Sequence, residues 1–501
     1  MTVHLSILLW LPAVGGLVGA LLGRRTAAWA ALAGSALALA YSVVAVVRFK
    51  SGSGLQFVTD DVWIRTLGTH YKLGLDGLNL FLVLLTTVVF TASIAWAARR
   101  EDVARPGLFY FWMGLGHSAV LGALLAQDLL VFAFFFDLML VPFLFLTGMF
   151  GGEHRVRAVI RLFIYTLVGS LLMLAAAVAT AVLAAGDGHI SFVFSDIARG
   201  SLSNGSQDWI FLFFAAAFLI KMPAFPFQGW MPDGYLNMPI PALAAFSGVL
   251  SKVAAYGFIR ICLPFFPHAS VHFQTLLLLI ALASILYGSA MAFTTTNIRL
   301  VLGYSSVAQL GFIVLGIFSL RPEGVQGALL QAVNHGLVVA PAFFIIALLA
   351  ARSGGSEDLR EMGAGAFRAP VLAALFLIVA LATLAMPGSS NFAGEFLILL
   401  GAFRAKTAIA IVAFTGVALA SVYMLRLFIG TMHNRAGRGM VSRELRVADG
   451  LVIAPLVLAI LAFAVFPQVA LTRSEASVKA SVAASHAGDA GTALARAGAT
   501  P

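Results

Sequence analysis

The sequence predicts an all-α polytopic membrane protein with about fourteen transmembrane helices, and three observations lead there. The 501 residues are 61% hydrophobic and only 10% charged, with a mean hydropathy of +0.99, whereas soluble domains run near ~45–50% apolar and about 25% charged. Apolar runs of roughly 20 residues, the length that crosses a bilayer core about 30 Å thick, recur along the chain with short polar gaps. The basic residues alternate between those gaps as a membrane topology requires. The single Cys262 excludes a disulfide framework and any Cys-ligated metal or iron–sulfur centre, and no dinucleotide or P-loop fingerprint is present. The formal charge of +10 is a topology signal and not a nucleic-acid footprint, because no basic block is interleaved with aromatics.

In order, the runs lie near residues 3–22, 28–48, 75–97, 107–126, 129–150, 158–185, 209–229, 240–262, 272–293, 298–318, 324–351, 369–402, 405–430 and 448–469. The first is not a cleaved leader, since the basic pair Arg24 and Arg25 follows it instead of preceding it. Gaps after odd-numbered runs, counted with the first turn of the following run, hold sixteen arginines, Arg100 and Arg438 among them, and gaps after even-numbered runs, counted likewise and with Arg48, hold eight Lys or Arg. Both termini are therefore expected on the non-cytoplasmic side. From about 472 the chain is rich in Ala, Gly and Ser with no apolar period, and a disordered tail is expected over 472–501.

Two runs are interrupted. Lys221-Met-Pro-Ala-Phe-Pro-Phe-Gln-Gly-Trp-Met-Pro-Asp233 ends the seventh and Met386-Pro-Gly-Ser-Ser-Asn-Phe-Ala-Gly-Glu395 splits the twelfth. Proline removes a backbone donor and clashes with the preceding turn, so both helices should break. Breaks five helices apart suggest two inverted five-helix repeats. The expected organisation is three N-terminal helices over 1–106, a first repeat over 107–262, a second over 272–430, and a loop with the last helix over 431–471. Kinks that merely aid packing are the competing reading.

Very few charges fall inside the runs, where each costs at least ~2.5–3.5 kcal/mol. Asp137 is eight residues past Leu129 and Lys252 eleven past Pro241, depths of roughly 12 and 16 Å at ~1.5 Å per residue. Lys221 lies at the first break and Glu395 just after the second, where freed backbone groups can solvate charge. His335 is deep in the eleventh run and His117 in the fourth. The chain has 25 Arg and only six Lys, yet Lys221 and Lys252 are the buried bases. Arginine stays charged at any accessible pH, whereas a buried lysine can release its proton. Asp137, Lys221, Lys252, His335 and Glu395 are thus the candidate proton-transfer residues, forming a lateral row in which an Asp137–Lys221 pair opens and closes. Ion pairing for packing is the plainer alternative. For His117, with only Ser118 polar nearby, a structural role is expected.

Several stretches resemble a known family, the antiporter-like membrane subunits of respiratory complex I and the related multisubunit sodium/proton antiporters. They are Leu73-Gly-Leu-Asp-Gly-Leu78, Gln127-Asp-Leu-Leu-Val-Phe132, Met139-Leu-Val-Pro142, Lys221-Met-Pro223, Gly229-Trp-Met-Pro-Asp233, Lys252-Val-Ala-Ala-Tyr-Gly257, Gly303-Tyr-Ser-Ser306, His335-Gly336 and Asn391-Phe-Ala-Gly-Glu-Phe396. The resemblance implies fourteen helices in two inverted repeats, no cofactor in this subunit, and flavin and iron–sulfur clusters in partner subunits. It further implies proton translocation driven by NADH oxidation and quinone reduction elsewhere in the complex, with other membrane-arm subunits as partners in a bacterial cytoplasmic membrane. Lys221 resembles the broken-helix partner of the fifth-helix carboxylate, Lys252 the central lysine, His335 the eleventh-helix histidine and Glu395 the terminal group. Glu395 stands where antiporter relatives carry lysine. Asp137 replaces a usual Glu, one methylene shorter, so a longer or water-bridged pair with Lys221 is expected. Gln309 replaces a frequent His and cannot carry a proton charge. A sodium/proton antiporter subunit and an unrelated secondary transporter remain as alternatives, for which the polar material at the breaks, Gln228, Asp233 and Ser389, is thin.

Overall fold

The computed structural model describes residues 3–52, 54–99, 103–186, 188–435, 437 and 441–497; Arg100 and Arg438 of the topology argument lie outside them. The chain is a helical membrane bundle. Its main helices are α1 (Leu5–Leu22), α2 (Ala27–Arg48), α3 (Leu80–Ala98), α4 (Pro106–Leu125), α5 (Leu129–Leu138), α6 (Val141–Phe150) and α7 (Arg155–Ala185). There follow α8 (Asn204–Lys221), α9 (Met231–Asn237), α10 (Ile240–Phe265), α11 (Gln274–Thr294), α12 (Ile298–Ile317) and α13 (Pro322–Arg352). The last are α14 (Pro370–Thr383), α15 (Ser390–Ala405), α16 (Thr407–Met432), α17 (Val447–Val465) and α18 (Gln468–Ala497).

Among the described residues, twelve helices are long and apolar enough to cross a membrane, with α5 and α6 counted together. The interrupted pairs α8/α9 and α14/α15 bring the crossings to the fourteen expected from sequence. The bundle is graded. Helix α10 is buried throughout its apolar window, and α12 and α13 nearly so, while α1, α2, α7, α16 and α17 have well under half of theirs buried and carry Leu, Val and Phe outward. An apolar exterior around a packed centre is what a lipid solvent permits.

Both expected breaks are present. Helix α8 stops at Lys221 before Pro223, and the Ile220 carbonyl freed there accepts the Trp230 indole N–H at 3.0 Å. Helix α14 stops at Thr383 ahead of Pro387, and Ala385 and Gly388 take positive φ before α15 begins. A third break was not expected. The run 129–150 divides at Met139-Leu140, because Pro142 has no N–H with which to continue the ladder. The central helix α10 also departs from regular α geometry in two π turns, Phe246–Leu250 and Phe258–Cys262, which flank Lys252.

Two further regions differ from the sequence reading. Residues ahead of α3 form an antiparallel hairpin, β1 (Gln56–Ile64) and β2 (Thr69–Leu75), so the third crossing starts at Leu80 and not near 75. Of the tail expected to be disordered over 472–501, residues 472–497 are instead helical as part of α18, and 498–501 lie outside the described residues. Its small residues Ala470, Ser474, Val478, Val482 and Ser485 recur every three or four positions and are buried, a stripe too weakly hydrophobic to register as an apolar period but on one helix face. Gly77 N–H donates to Ser477 Oγ at 3.2 Å, and His486 lies 3.0 Å from the Leu320 carbonyl. Hairpin, α18 and the N-terminus, where Tyr71 donates to Ser6 at 3.3 Å, therefore share one end of the bundle.

Candidate functional site

The five predicted residues occupy five crossings around α10. The break between α5 and α6 creates the first element of the site. Leu140 N–H bonds to the Asp137 carbonyl at 3.1 Å instead of the Phe136 carbonyl one turn back, and the freed Phe136 carbonyl accepts a hydrogen bond from the Lys221 ammonium. That ammonium also stands over the Phe136 ring, 3.9 Å from its centroid, a cation–π contact. Its distance to Asp137 Oδ1 is 3.6 Å, well beyond the ~2.7–2.9 Å of a charge-assisted hydrogen bond. This is the long pair expected of the shorter aspartate. Asp137 accepts instead from the Ser170 hydroxyl on α7. The partners also differ in setting: the Lys221 side chain is 3% exposed and Asp137 39% exposed, on the flank of the bundle.

Lys252 is enclosed. Its ammonium donates to the Ser247 carbonyl at 2.6 Å and to Ser251 Oγ at 3.2 Å. The first acceptor lies within the π turn Phe246–Leu250, where widening of the helix frees carbonyls for side chains. Lys221 and Lys252 share no hydrogen bond. On the other side of Lys252, α10 and α13 approach at Gly248 and Gly336, where a Cβ on Gly336 would stand 2.5 Å from the Gly248 carbonyl oxygen. That close crossing sets His335 beside α10, within the field of Lys252. His335 is buried, and its Nδ1 has no hydrogen-bond partner among the described residues.

Glu395 on α15 is buried at the far end of the row. Amides from α12 and α13 adjoin it. Gln331 Nε2 donates to Glu395 Oε1 at 3.3 Å and to Gln309 Oε1 at 2.7 Å, and Gln309 Nε2 reaches the Thr383 carbonyl, at the end of α14, at 3.4 Å. Gln331 precedes His335 by four residues, so both lie on one face of α13. Asn334 fastens the second break by donating to the Ser390 carbonyl at 2.6 Å. Near this path several buried polar atoms have no partner among the described residues: Ser247 Oγ, Gln331 Oε1, Asn334 Oδ1, His335 Nδ1, Ser389 Oγ and Asn391 Nδ2.

His117 is apart from the row. It stacks on Phe90 with ring centroids 4.7 Å apart and lies 3.1 Å from Ser35 Oγ, packing α4 against α2 and α3. Sequence reasoning missed Gln331 as a connector. It also missed Arg260, which pairs with Asp76 and donates to Tyr256 at 3.0 Å. Lys252, Tyr256 and Arg260 follow at intervals of four along α10, a spacing visible in the sequence once Arg260 is placed inside the helix.

The sequence profile of the family described as NADH:quinone oxidoreductase/Mrp antiporter, transmembrane, matches residues 126–421. The NADH-quinone oxidoreductase subunit M of Rhodobacter capsulatus is 32% identical over 481 residues, covering 92% of this chain and 93% of the relative. That of Escherichia coli K12 is 32% identical, covering 94% and 96%. A chain of respiratory complex I from Thermus thermophilus with bound NADH superposes with a TM-score of 0.86 at 32% identity, covering 95% of this chain and 99% of that one. A chain of the Mrp complex from Dietzia shares the fold, with a TM-score of 0.80 at 21% identity over 94% of this chain and 51% of that one. The chain belongs to the NADH:quinone oxidoreductase/Mrp antiporter transmembrane family, on the side of the subunit M proteins.

Proposed function

We propose that this chain is a proton-translocating membrane-arm subunit of an NADH:quinone oxidoreductase, carrying out no redox step itself. The observation that carries the reading is the row Asp137, Lys221, Lys252, His335 and Glu395, joined by helix breaks, a π turn and amides, with unpartnered buried polar atoms alongside. Such atoms need water or a moving proton as partner, since an unpaired buried polar group costs about 1–3 kcal/mol. When Asp137 moves away from Lys221, the ammonium loses its counter-charge in a low-dielectric setting and yields its proton through water toward Lys252. Lys252 passes a proton to His335, and Gln331 and Gln309 orient the link to the Glu395 carboxylate, which receives it. Flavin and iron–sulfur chemistry belongs to partner subunits, and the isolated chain is expected to have no activity.

A carboxylate 39% exposed on an apolar flank is costly against lipid, which supports cover by a neighbouring antiporter-like subunit at Asp137. The start of α1 and helix α18 share the hairpin end while the arginine-rich gaps share the other, which supports non-cytoplasmic termini in a bacterial cytoplasmic membrane. In the intact assembly, Lys252→Ala and Glu395→Gln should each lower proton pumping by about tenfold or more with the assembly retained. Unchanged pumping in both would sink the proposal. A sodium requirement for transport would replace it with the antiporter reading.

A further inference from the structure

A cavity of about 1240 Å³ opens at the arginine-rich end of the bundle, away from the row, between the ends of α3 and α13, the starts of α4, α10 and α17, and the segment at 441–446. Four guanidinium groups line it, Arg99, Arg352, Arg443 and Arg446, against two carboxylates, Glu444 and Asp449. Glu444 is committed elsewhere, accepting the N–H groups of Val371 at 3.0 Å, Leu372 at 3.2 Å and Leu445 at 2.7 Å. Arg99 and Arg352 donate to main-chain carbonyls, Arg352 to those of Leu348 and Arg443 at 2.8 Å and of Glu444 at 3.2 Å. The side chains of Arg443 and Arg446 make no hydrogen bond or ion pair among the described residues. Among the described residues, the lining thus carries two more positive than negative charges.

Its remaining wall is apolar, with Phe109, Met149, Phe150 and Leu348. Met149 is 37% exposed, at the margin of the lipid-facing surface. A ligand suited to both walls carries a phosphate for the guanidinium forks and hydrocarbon for the apolar side. We propose that this cavity binds the headgroup of an anionic phospholipid, its phosphate between Arg443, Arg446 and Arg352 and its acyl chains along Met149 and Phe150. Basic pockets between helices at the cytoplasmic face suit such headgroups, and the arginine asymmetry assigns this end to that face. The proposal is independent of the proton row, none of whose residues line the cavity.

The test uses the intact assembly in mild detergent, stripped of lipid and titrated with dioleoyl phosphatidylglycerol, with bound lipid counted by native mass spectrometry. Arg443→Gln combined with Arg446→Gln should remove one bound phosphatidylglycerol per assembly and weaken the remaining uptake at that site about tenfold or more. Both side chains are exposed, so the variant should assemble; Arg25→Gln, an exposed arginine at the same end, should bind as the parent does. Equal lipid retention in the double variant and the parent would overturn the proposal. So would displacement of the lipid by millimolar inorganic phosphate, which would assign the cavity to a free anion.

Discussion

Gln331 makes the least conspicuous and most consequential contact of the row, because the two N–H donors of its one amide nitrogen serve Gln309 and Glu395. Replacing it by leucine keeps the volume but leaves Glu395 and Gln309 buried without that donor, a loss of roughly 1–3 kcal/mol at the site. Gln331→Leu is therefore expected to assemble normally yet slow proton pumping about tenfold relative to NADH oxidation, read as protons moved per electron. Pumping equal to the parent's would reduce the amide bridge to packing. At this scale the sequence was informative where a residue type was out of place: Lys221 and Lys252 stand out in an arginine-rich chain, and Glu395 in an apolar run. Gln331 does not, since a neutral amide carries no insertion cost that would single it out. Arg260 was hidden for another reason, lying near the end of an apolar run where charge is ordinary. Only the packing of Asp76 against it shows a buried pair.

Elements show the same division. Prolines at 223 and 387 announce two helix breaks, and the same logic applied to Pro142 would have found the third, but an uninterrupted hydrophobic run masked it. The π turns have no local sequence signal at all; they arise where α10 must accommodate neighbours on every side. The hairpin was lost because its strands are half-exposed and mix charge with β-branched residues. Its register sets Asp60 opposite Lys72, and Asp60 contacts Lys72 and His70 at 2.7 Å each. Partial burial works against ionisation of Asp60, but the hydrogen bonds from Lys72 and His70 prevail and hold its carboxyl below the usual carboxylate range. A carboxyl depressed by folding stabilises the hairpin above its unfolded pKa and loses that contribution as pH falls through its folded pKa. Amide exchange across Asp60–Lys72, taken relative to the intrinsic exchange rate at each pH, should therefore be steady from neutral pH to about pH 5 and quicken below about pH 4. Asp60→Asn should abolish that acid-dependent quickening.

For the whole molecule, α18 closes the hairpin end by packing near Gly77, Leu78 and Phe81. Removing residues 474–501 would delete Val478 and Val482, whose burial contributes about 1.5–3 kcal/mol each, and uncover the surface beneath them. The truncated chain should still insert, since every crossing remains, but its thermal midpoint in detergent should fall by on the order of 5 °C; an unchanged midpoint would show that α18 adds nothing to the isolated fold. Composition, run length and the placement of Arg were enough to determine a membrane-embedded helical bundle, its fourteen crossings, two of its breaks and the ionisable residues within it. These are properties of transfer between water and lipid, which act residue by residue and are therefore written locally. The third break, the π turns beside Lys252, the amide bridge to Glu395 and the docking of α18 were decided by tertiary structure. Each depends on which helix faces which, and inside lipid that choice rests on close packing and on partners for buried polar groups, which no single stretch of sequence contains.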